Sequence, residues 1–247
     1  MFETEYCRRE ELEILQLERL KKIVAWAYEK SAFYQKTFQR RGVAPEDIQS
    51  LSDVDKLPLL TREEIHTVDA MDFLTLPLSS VIRVNNFGGV KKFYTRGDIR
   101  NNVEMLIHSL MAAGILRGST VGIAGDLSDS RLLDALHALE SIGATVVLAD
   151  NFSVDATIRI TADTLNLKNF KLYAPPELGN AGLFIPCAAG YHAQEDNFLI
   201  EILSGELVIT TLTAQAMPLI RYRTGKLAKK ISEPCHCGRS LTKIHID

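Results

Sequence analysis

Residues 210–239 read TTLTAQAMPLIRYRTGKLAKKISEPCHCGR, and the rest of the fold is predicted outward from this stretch. Two strand-like segments, 198–203 and 206–212, lead into it and are separated by a Ser-Gly pair at 204–205. A two-residue connection of this kind between alternating segments is typical of a β-hairpin. The C-terminal part of the chain is therefore predicted to be antiparallel β structure.

The length and composition of the chain indicate that it can bury a sizeable core. The 247 residues allow either one α/β domain or two unequal lobes. The formal net charge of -3 gives no basic field, so no nucleic-acid or anionic-membrane partner is expected. No run of about 18 apolar residues occurs, and the amino terminus is charged where a signal peptide is apolar. We expect a soluble cytoplasmic protein.

The first third of the chain carries helix signals. Apolar residues recur at helical spacing over 10–30, with charged residues between them. Ser31 is placed to cap a second helix that ends at Gly42. Thr61 and Glu64 have the spacing of a capping box. The segment is predicted to be helical.

The middle of the chain alternates helices and strands. Asp98 is predicted to cap a helix, which is followed by a strand over Thr120–Ala124. A second helix ends at Gly143, and an apolar strand runs over Thr145–Ala149. The order of strand, helix and strand predicts a parallel crossover, and the loop over Gly125–Ser130 is either a ligand-lining loop or a plain connection.

Four phrases carry a family resemblance: AWAYEKSAFYQKTFQRRGV at 25–43, SLMAAGILRGSTVGIAGD at 109–126, LFIPCAAGYHAQEDNFLIEI at 183–202 and MPLIRYRTG at 217–225. Together they resemble the large domain of phenylacetate-CoA ligases and their coenzyme F390 synthetase-like relatives. Those enzymes activate a carboxylate with ATP, and the ligases pass the acyl group to a thiol. The resemblance implies a reduced adenylate-forming large domain of the α/β class, with N-terminal helices, a parallel βαβ unit and a C-terminal antiparallel β region.

The resemblance also implies a division of the chain. Residues 1–80 form a helical lead-in, 81–170 a shortened α/β core, and 171–247 a β-rich subdomain. After Asp150 the lobe that supplies much of the acid pocket in the family is expected to be missing or reduced to one helix within 151–170. The family's small C-terminal domain, which carries the lysine used in adenylation, is expected to be absent.

A shortened loop stands where the family wraps ATP phosphates. It lacks Ser and Thr between Asn85 and Tyr94, and keeps Gly88, Gly89 and two lysines, which are Lys91 and Lys92. Backbone amides and lysines can hold an anion such as a phosphate. A tight Gly-Gly hairpin with solvated lysines explains the same residues.

A second family motif has Tyr, Gly, a variable residue, Ser or Thr, and Glu. Tyr173 and Glu177 match it, whereas Ala174 and Pro176 replace the glycine and the hydroxyl residue. The resemblance implies a Mg²⁺-holding role for Glu177, although a lone glutamate is more often a surface carboxylate. Proline removes a backbone N–H donor, which weakens the site for ATP or AMP.

Lys226 stands where the family's YRTGD pattern has aspartate. In the family that aspartate accepts hydrogen bonds from both ribose hydroxyls of ATP. A lysine ammonium has three donors and no acceptor, so Lys226 cannot take this role and instead suits an anion. The family assignment and the family activity are therefore separate questions.

Cysteine and histidine residues predict a metal site. Cys187 and His192 lie in one predicted loop, and Cys235 and Cys237 lie in another. Together they make a closed Cys₃His set suited to structural zinc, and the resemblance implies the same positions in some relatives. The alternatives are free thiols with a surface histidine, or His236 as the nitrogen ligand.

Three hypotheses of function follow. The first is a degenerate phenylacetate-CoA ligase-like protein without ligase activity, acting as a binding, regulatory or accessory subunit. The second is an adenylate-forming or nucleotidyl-transfer enzyme completed by a partner protein or adapted to a small anionic ligand. The third is a zinc-stabilised structural protein that forms a homo-oligomer.

Overall fold

The computed structural model describes residues 3–148, 153–167, 170–187, 190–233 and 235–247. Its contacts divide the chain into two compact units. The first comprises Met1–Val84, Phe93–Asp98 and Ala193–Asp247, and the second comprises Asn85–Lys92 and Ile99–His192. The three-part division expected from the sequence stays a prediction.

Five α-helices lie in the described residues. They are α1 Arg9–Lys30, α2 Ala32–Arg41, α3 Arg62–Thr67, α4 Arg96–Ala112 and α5 Ser130–Ile142. The same residues form thirteen strands, which are β1 Arg83–Phe87, β2 Val90–Tyr94, β3 Thr120–Ala124, β4 Thr145–Val147, β5 Ala156–Thr161, β6 Thr164–Leu167, β7 Phe170–Tyr173, β8 Phe184–Cys187, β9 Gly190–Ala193, β10 Phe198–Leu203, β11 Glu206–Thr211, β12 Tyr222–Ile231 and β13 Lys243–Ile246.

The N-terminal helices form as the sequence predicts. Helix α1 buries a stripe at helical spacing, made of Leu12, Gln16, Leu20, Ile23, Val24 and Ala27. Ser31 ends α1 and caps α2, because its hydroxyl accepts the Tyr34 N–H. Helix α2 ends where Gly42 takes a φ of 69°, a left-handed conformation that favours glycine. The capping box at the start of α3 is also confirmed.

The start of α4 differs from the prediction. The helix begins at Arg96, so Asp98 is not the cap but the third helical residue. Thr95 takes the capping position: its hydroxyl accepts the Asp98 N–H at 3.1 Å, and the Asp98 carboxylate accepts the Thr95 N–H at 2.8 Å. The same carboxylate accepts the main-chain N–H groups of Gln215 and Ala216. It thereby fixes the middle of the 210–239 stretch within the first unit.

The second unit contains a five-stranded sheet of order β4-β3-β5-β6-β7. Strands β3 and β4 are parallel and are joined by α5, which confirms the predicted βαβ unit. Helix α5 ends at Gly143, which has a φ of 83°. Apolar residues of α4, α5 and the sheet form one buried cluster, whose fully covered members include Leu110, Val121, Leu139 and Ile158.

The described residues 153–167 do not contain the helix that was one expected form of a reduced lobe. Among the described residues 153–167 the chain forms β5 and β6, an antiparallel pair. Alternation explains this result, because Ala156 and Ile158 are buried while Thr157 and Arg159 are exposed. Strand β5 pairs in parallel with β3 and so extends the sheet.

A six-stranded sheet of order β10-β11-β12-β13-β9-β8 carries the C-terminal stretch. The hairpin of β10 and β11 confirms the prediction, with Ser204 at φ 50° and Gly205 at φ 87° in the turn. Positive φ at both turn residues gives the twist that matches paired strands.

Residues before β12 are held by buried polar groups. The Tyr34 hydroxyl donates to the Pro218 carbonyl at 3.0 Å and accepts the Ile220 N–H at 2.9 Å. The Arg221 guanidinium is buried and pairs with the Glu201 carboxylate at 2.8 Å. The MPLIRY phrase is therefore rigidly placed within the first unit. None of the described helices has the length and apolarity needed to cross a membrane.

Candidate metal centre and nucleotide-motif residues

The shortened phosphate-loop segment forms a β-hairpin of β1 and β2. Its turn residues Gly88 and Gly89 have φ values of 60° and 79°, which confirms the Gly-Gly hairpin interpretation. A Cβ atom on Gly88 would lie 3.2 Å from the Pro176 ring, so the turn packs closely against the second family motif. The structure thus brings the two predicted nucleotide segments together.

The two lysines of β2 occupy different environments. Lys91 is exposed, as a solvated lysine should be, whereas Lys92 is only 5% exposed. The expectation that both are solvated is therefore wrong for Lys92. Its ammonium donates to the main-chain carbonyl of Glu177 at 2.9 Å. Alternation along β2 explains the difference, since successive side chains point to opposite faces.

Glu177 is not the surface carboxylate that a lone glutamate usually is. The residue is 1% exposed and follows β7 in the turn after Pro176. Tyr173 closes β7 and is 7% exposed. Both surviving residues of the motif are therefore buried, and the main-chain carbonyl of Glu177 accepts the Lys92 ammonium.

Arg131 was missed by sequence reasoning and lies at the centre of this region. Its guanidinium is 1% exposed and binds the Asp129 carboxylate at 2.6 Å. It also donates to the carbonyl of Ala174, the residue that replaces the motif glycine, and its carbon lies 5.3 Å from the Phe87 ring centre. A charge this deeply buried needs several partners. The helix-capping pattern at Asp129 was the available local signal.

Lys226 lies in a β-bulge of β12. Between the pairs Glu206 with Leu227 and Val208 with Arg223, strand β12 has more residues than β11. Gly225 takes a φ of 71° there, and the Lys226 N–H donates to the Thr224 hydroxyl at 3.1 Å. A bulge redirects side chains, so this irregularity sets the direction of the residues around Lys226.

An ion pair closes this bulge. The Arg223 guanidinium binds the Glu206 carboxylate, which also accepts the Gly225 N–H at 2.9 Å. Burial works to raise the pKa of Glu206, but the hydrogen bonds from Arg223 and Gly225 outweigh it and hold the pKa below its ordinary value.

Three of the four predicted metal ligands come together. The ligand atoms of Cys187, His192 and Cys235 all lie within 4.8 Å of one another. Cys187 ends β8, His192 is on β9 and is 1% exposed, and Cys235 lies in the loop between β12 and β13. Two thiols and an imidazole are the donors that zinc prefers. In a tetrahedral zinc site such atoms lie about 3.3–3.8 Å apart, so the group is within a short movement of binding geometry.

The fourth predicted ligand, Cys237, is not in this group of described residues. It hydrogen-bonds with Arg239, whose guanidinium also binds the Glu5 carboxylate at 2.6 Å. Burial lowers the pKa of Arg239, but its bonds to Glu5 and Cys237 outweigh burial and raise it. His236, the alternative nitrogen ligand, is also outside the group.

Comparison with curated proteins gives consistent relatives. The chain is 26% identical to a phenylacetate-coenzyme A ligase of Thermus thermophilus, covering 98% of this chain and 71% of the relative. It is 26% identical to the Escherichia coli phenylacetate-coenzyme A ligase, covering 95% and 71% respectively. The first alignment extends over 317 residues against a chain of 247, so the relative has internal segments without counterpart here. No protein-family profile matches the chain.

Solved structures share the fold. A 2-hydroxyisobutyryl-CoA ligase in the postadenylation state, in complex with 2-HIB-AMP, matches 97% of this chain with a TM-score of 0.77. The sequence identity is 16%, and the match covers 68% of that protein. The same ligase in the thioesterification state matches equally well, with a TM-score of 0.77 over 98% of this chain. The architecture is therefore that of an adenylate-forming CoA ligase.

Proposed function

We propose that the chain, which is similar to phenylacetate-CoA ligases over nearly its whole length, is a shortened member of that family without acyl-CoA ligase activity. In this proposal it acts as a binding, regulatory or accessory protein, alone as a homo-oligomer or with a partner protein. In this view the chain has the fold of an adenylate-forming CoA ligase but does not catalyse acyl-CoA formation.

The hydrogen bond from Lys92 to the Glu177 carbonyl is the main observation that supports the proposal. Lys92 and Glu177, two of the three charged residues retained in the nucleotide motifs, are buried, and Lys92 donates to a main-chain carbonyl of its own chain. A lysine that neutralises a phosphate must reach it, and this ammonium instead donates to the Glu177 main-chain carbonyl. Gly88 packs on Pro176, which leaves little space for phosphate between the two segments. The turn at Gly88 and the motif segment at Pro176 therefore pack against each other and leave little room for a triphosphate.

The chemistry of the remaining residues supports the same conclusion. Pro176 has no N–H to offer a phosphate, and Lys226 has no acceptor for ribose hydroxyls. ATP with Mg²⁺, which the family implies, is therefore poorly matched by this residue set, and we derive no reaction step through it. A smaller anion remains compatible with the exposed Lys91.

The alternative is an adenylate-forming enzyme completed by a partner. The retained YRTG sequence at 222–225 favours it, because it matches the family pattern up to the position that Lys226 occupies. A partner could supply the acceptors for ribose hydroxyls that Lys226 lacks. This alternative predicts activity only when the partner is present.

We also propose a structural zinc ion held by Cys187, His192 and Cys235. The proximity of three suitable donors supports the ion. Cys237 completes the set if the ion draws its loop inward, and otherwise water takes the fourth position. Such a site would stabilise the loops around β8, β9 and β13, because metal-binding free energy adds to folding free energy.

Isotope exchange between ATP and pyrophosphate tests the main proposal. The measurement uses Mg²⁺ and a panel of aryl and aliphatic carboxylic acids, and we expect no exchange above background. Exchange with any acid would reject the proposal. Exchange that appears only with an added partner would favour the alternative. Calorimetry with ATP and AMP then separates a nucleotide-binding protein from a purely structural one, which should bind neither.

A further inference from the structure

A cavity of about 490 Å³ opens on the first unit, and its lining contains none of the residues assigned to nucleotide or metal. One side is a face of α1, where Arg19, Lys22, Ile23 and Trp26 recur at helical spacing. The opposite side is the segment 212–215, which follows β11. A volume of this size accommodates a small organic molecule.

The charged side chains that line the cavity are all basic. Two of its nine described lining residues are basic and none is acidic. Lys22 is exposed and makes no hydrogen bond or ion pair within the part of the chain that the structure describes. Arg19 is half-buried and gives one N–H group to the Asp196 carbonyl, which orients the guanidinium. The cavity therefore favours an anionic group at its Lys22 side.

The remaining walls are mostly apolar. Ile23 and Leu212 are buried, and the indole of Trp26 is half-buried with its N–H 3.5 Å from the Gln215 carbonyl. That contact joins α1 to the 212–215 segment and makes the cavity a preformed one. Apolar walls with a small number of charged groups are characteristic of ligand sites.

We propose that this cavity binds a small amphipathic carboxylate. The headgroup pairs with Lys22 and Arg19, and the apolar body packs on Trp26, Ile23 and Leu212. The inference rests on the cavity alone and holds whether or not the chain has lost ligase activity.

Trp26 provides a direct test because it is the single tryptophan of the chain. Octanoate is titrated into the native protein while tryptophan emission is recorded, and calorimetry gives the stoichiometry. We expect a saturable change with one octanoate per chain. Octanamide, which has the same tail without the charge, should bind at least about fivefold more weakly, as loss of an ion pair implies.

Matched variants locate the site. Lys22→Gln should weaken octanoate binding about threefold to fivefold, which is the effect of one partly exposed ion pair. Lys21→Gln is the control, because Lys21 is the neighbouring lysine and contacts Gln49 instead of the cavity. Ala214→Phe should weaken binding at least about tenfold by filling the space. Neither Lys22 nor Ala214 is buried, so these variants should fold.

Three results would overturn the inference. They are no binding by either method, equal affinity for octanoate and octanamide, and equal effects of Lys22→Gln and Lys21→Gln. None of these results bears on ATP–pyrophosphate exchange, so the cavity and the proposed loss of catalysis fail independently.

Discussion

The Lys92 ammonium donates to the Glu177 main-chain carbonyl at 2.9 Å, and the two residues are 5% and 1% exposed. They are 85 positions apart and come from the two segments that resemble nucleotide motifs. A buried ammonium is costly unless it is well bonded. The bond indicates that Lys92 now contributes to the fold of the second unit.

Removing this ammonium should reduce stability. Lys92→Met leaves the Glu177 carbonyl without its donor, and we expect a loss of about 2 kcal/mol in the free energy of unfolding. Lys91→Met, the exposed neighbour on the same strand, should change it by less than about 0.5 kcal/mol. Urea denaturation of both variants checks this prediction. Equal effects would show that Lys92 has no structural role.

Zinc should be present in protein purified without chelators. Elemental analysis should give about one zinc per chain, because three donors already lie close together. Cys187→Ser should reduce the zinc content to near zero and lower the melting temperature. Cys7→Ser is the control, since Cys7 hydrogen-bonds the Thr4 carbonyl and is not part of the ligand group. Metal-free native protein with an unchanged melting temperature after chelation would reject the site.

Asp98 should contribute strongly to stability without any role in chemistry. Its carboxylate accepts hydrogen bonds from Thr95, Gln215 and Ala216 in a buried setting. Asp98→Ala should cost about 3 kcal/mol, because several charged hydrogen bonds are lost together. Glu104→Ala, at an exposed position of the same helix, should be nearly neutral. A neutral Asp98→Ala would contradict the described role of the carboxylate.

The Glu206 carboxylate should make stability depend on acid pH. Its folded-state pKa lies below the ordinary value of 4.5, so its contribution is present above about pH 4.5 and is lost as pH falls through the lowered pKa. Arg223 is half exposed, so solvent screening keeps this contribution small. Melting curves of the native protein and Glu206→Gln should therefore differ at pH 6 and converge near pH 3. A constant difference over this range would exclude the carboxylate as the cause.

Local signals in the sequence predicted most of the elements. Ser31, Gly42 and Gly143 end helices for reasons that act within a few residues, and the Ser204–Gly205 turn likewise depends only on neighbouring strands. The start of α4 was misplaced because Thr95 and Asp98 both suit a cap, and only the Gln215 and Ala216 contacts distinguish their positions.

The site could be predicted only in part. The residue types of Cys187, His192 and Cys235 indicated zinc donors in the sequence, and the fold brings these residues together. The burial of Lys92 and the role of Arg131 could not be predicted, because the partners of these residues are distant in sequence. Arg131 contacts Ala174, 43 residues away, and Lys92 contacts Glu177. Such pairings depend on the order of the strands within a sheet, and the periodicity of apolar residues in the sequence does not predict that order.

Exchange of labelled pyrophosphate into ATP tests the proposed loss of catalysis most directly. The assay uses metal-replete native protein with Mg²⁺, and an active phenylacetate-coenzyme A ligase serves as the positive control under the same conditions. We predict no acid-dependent exchange above background with any acid of the panel. Acid-dependent exchange by the purified chain alone would contradict the account, because it would require the retained residues to bind and activate ATP.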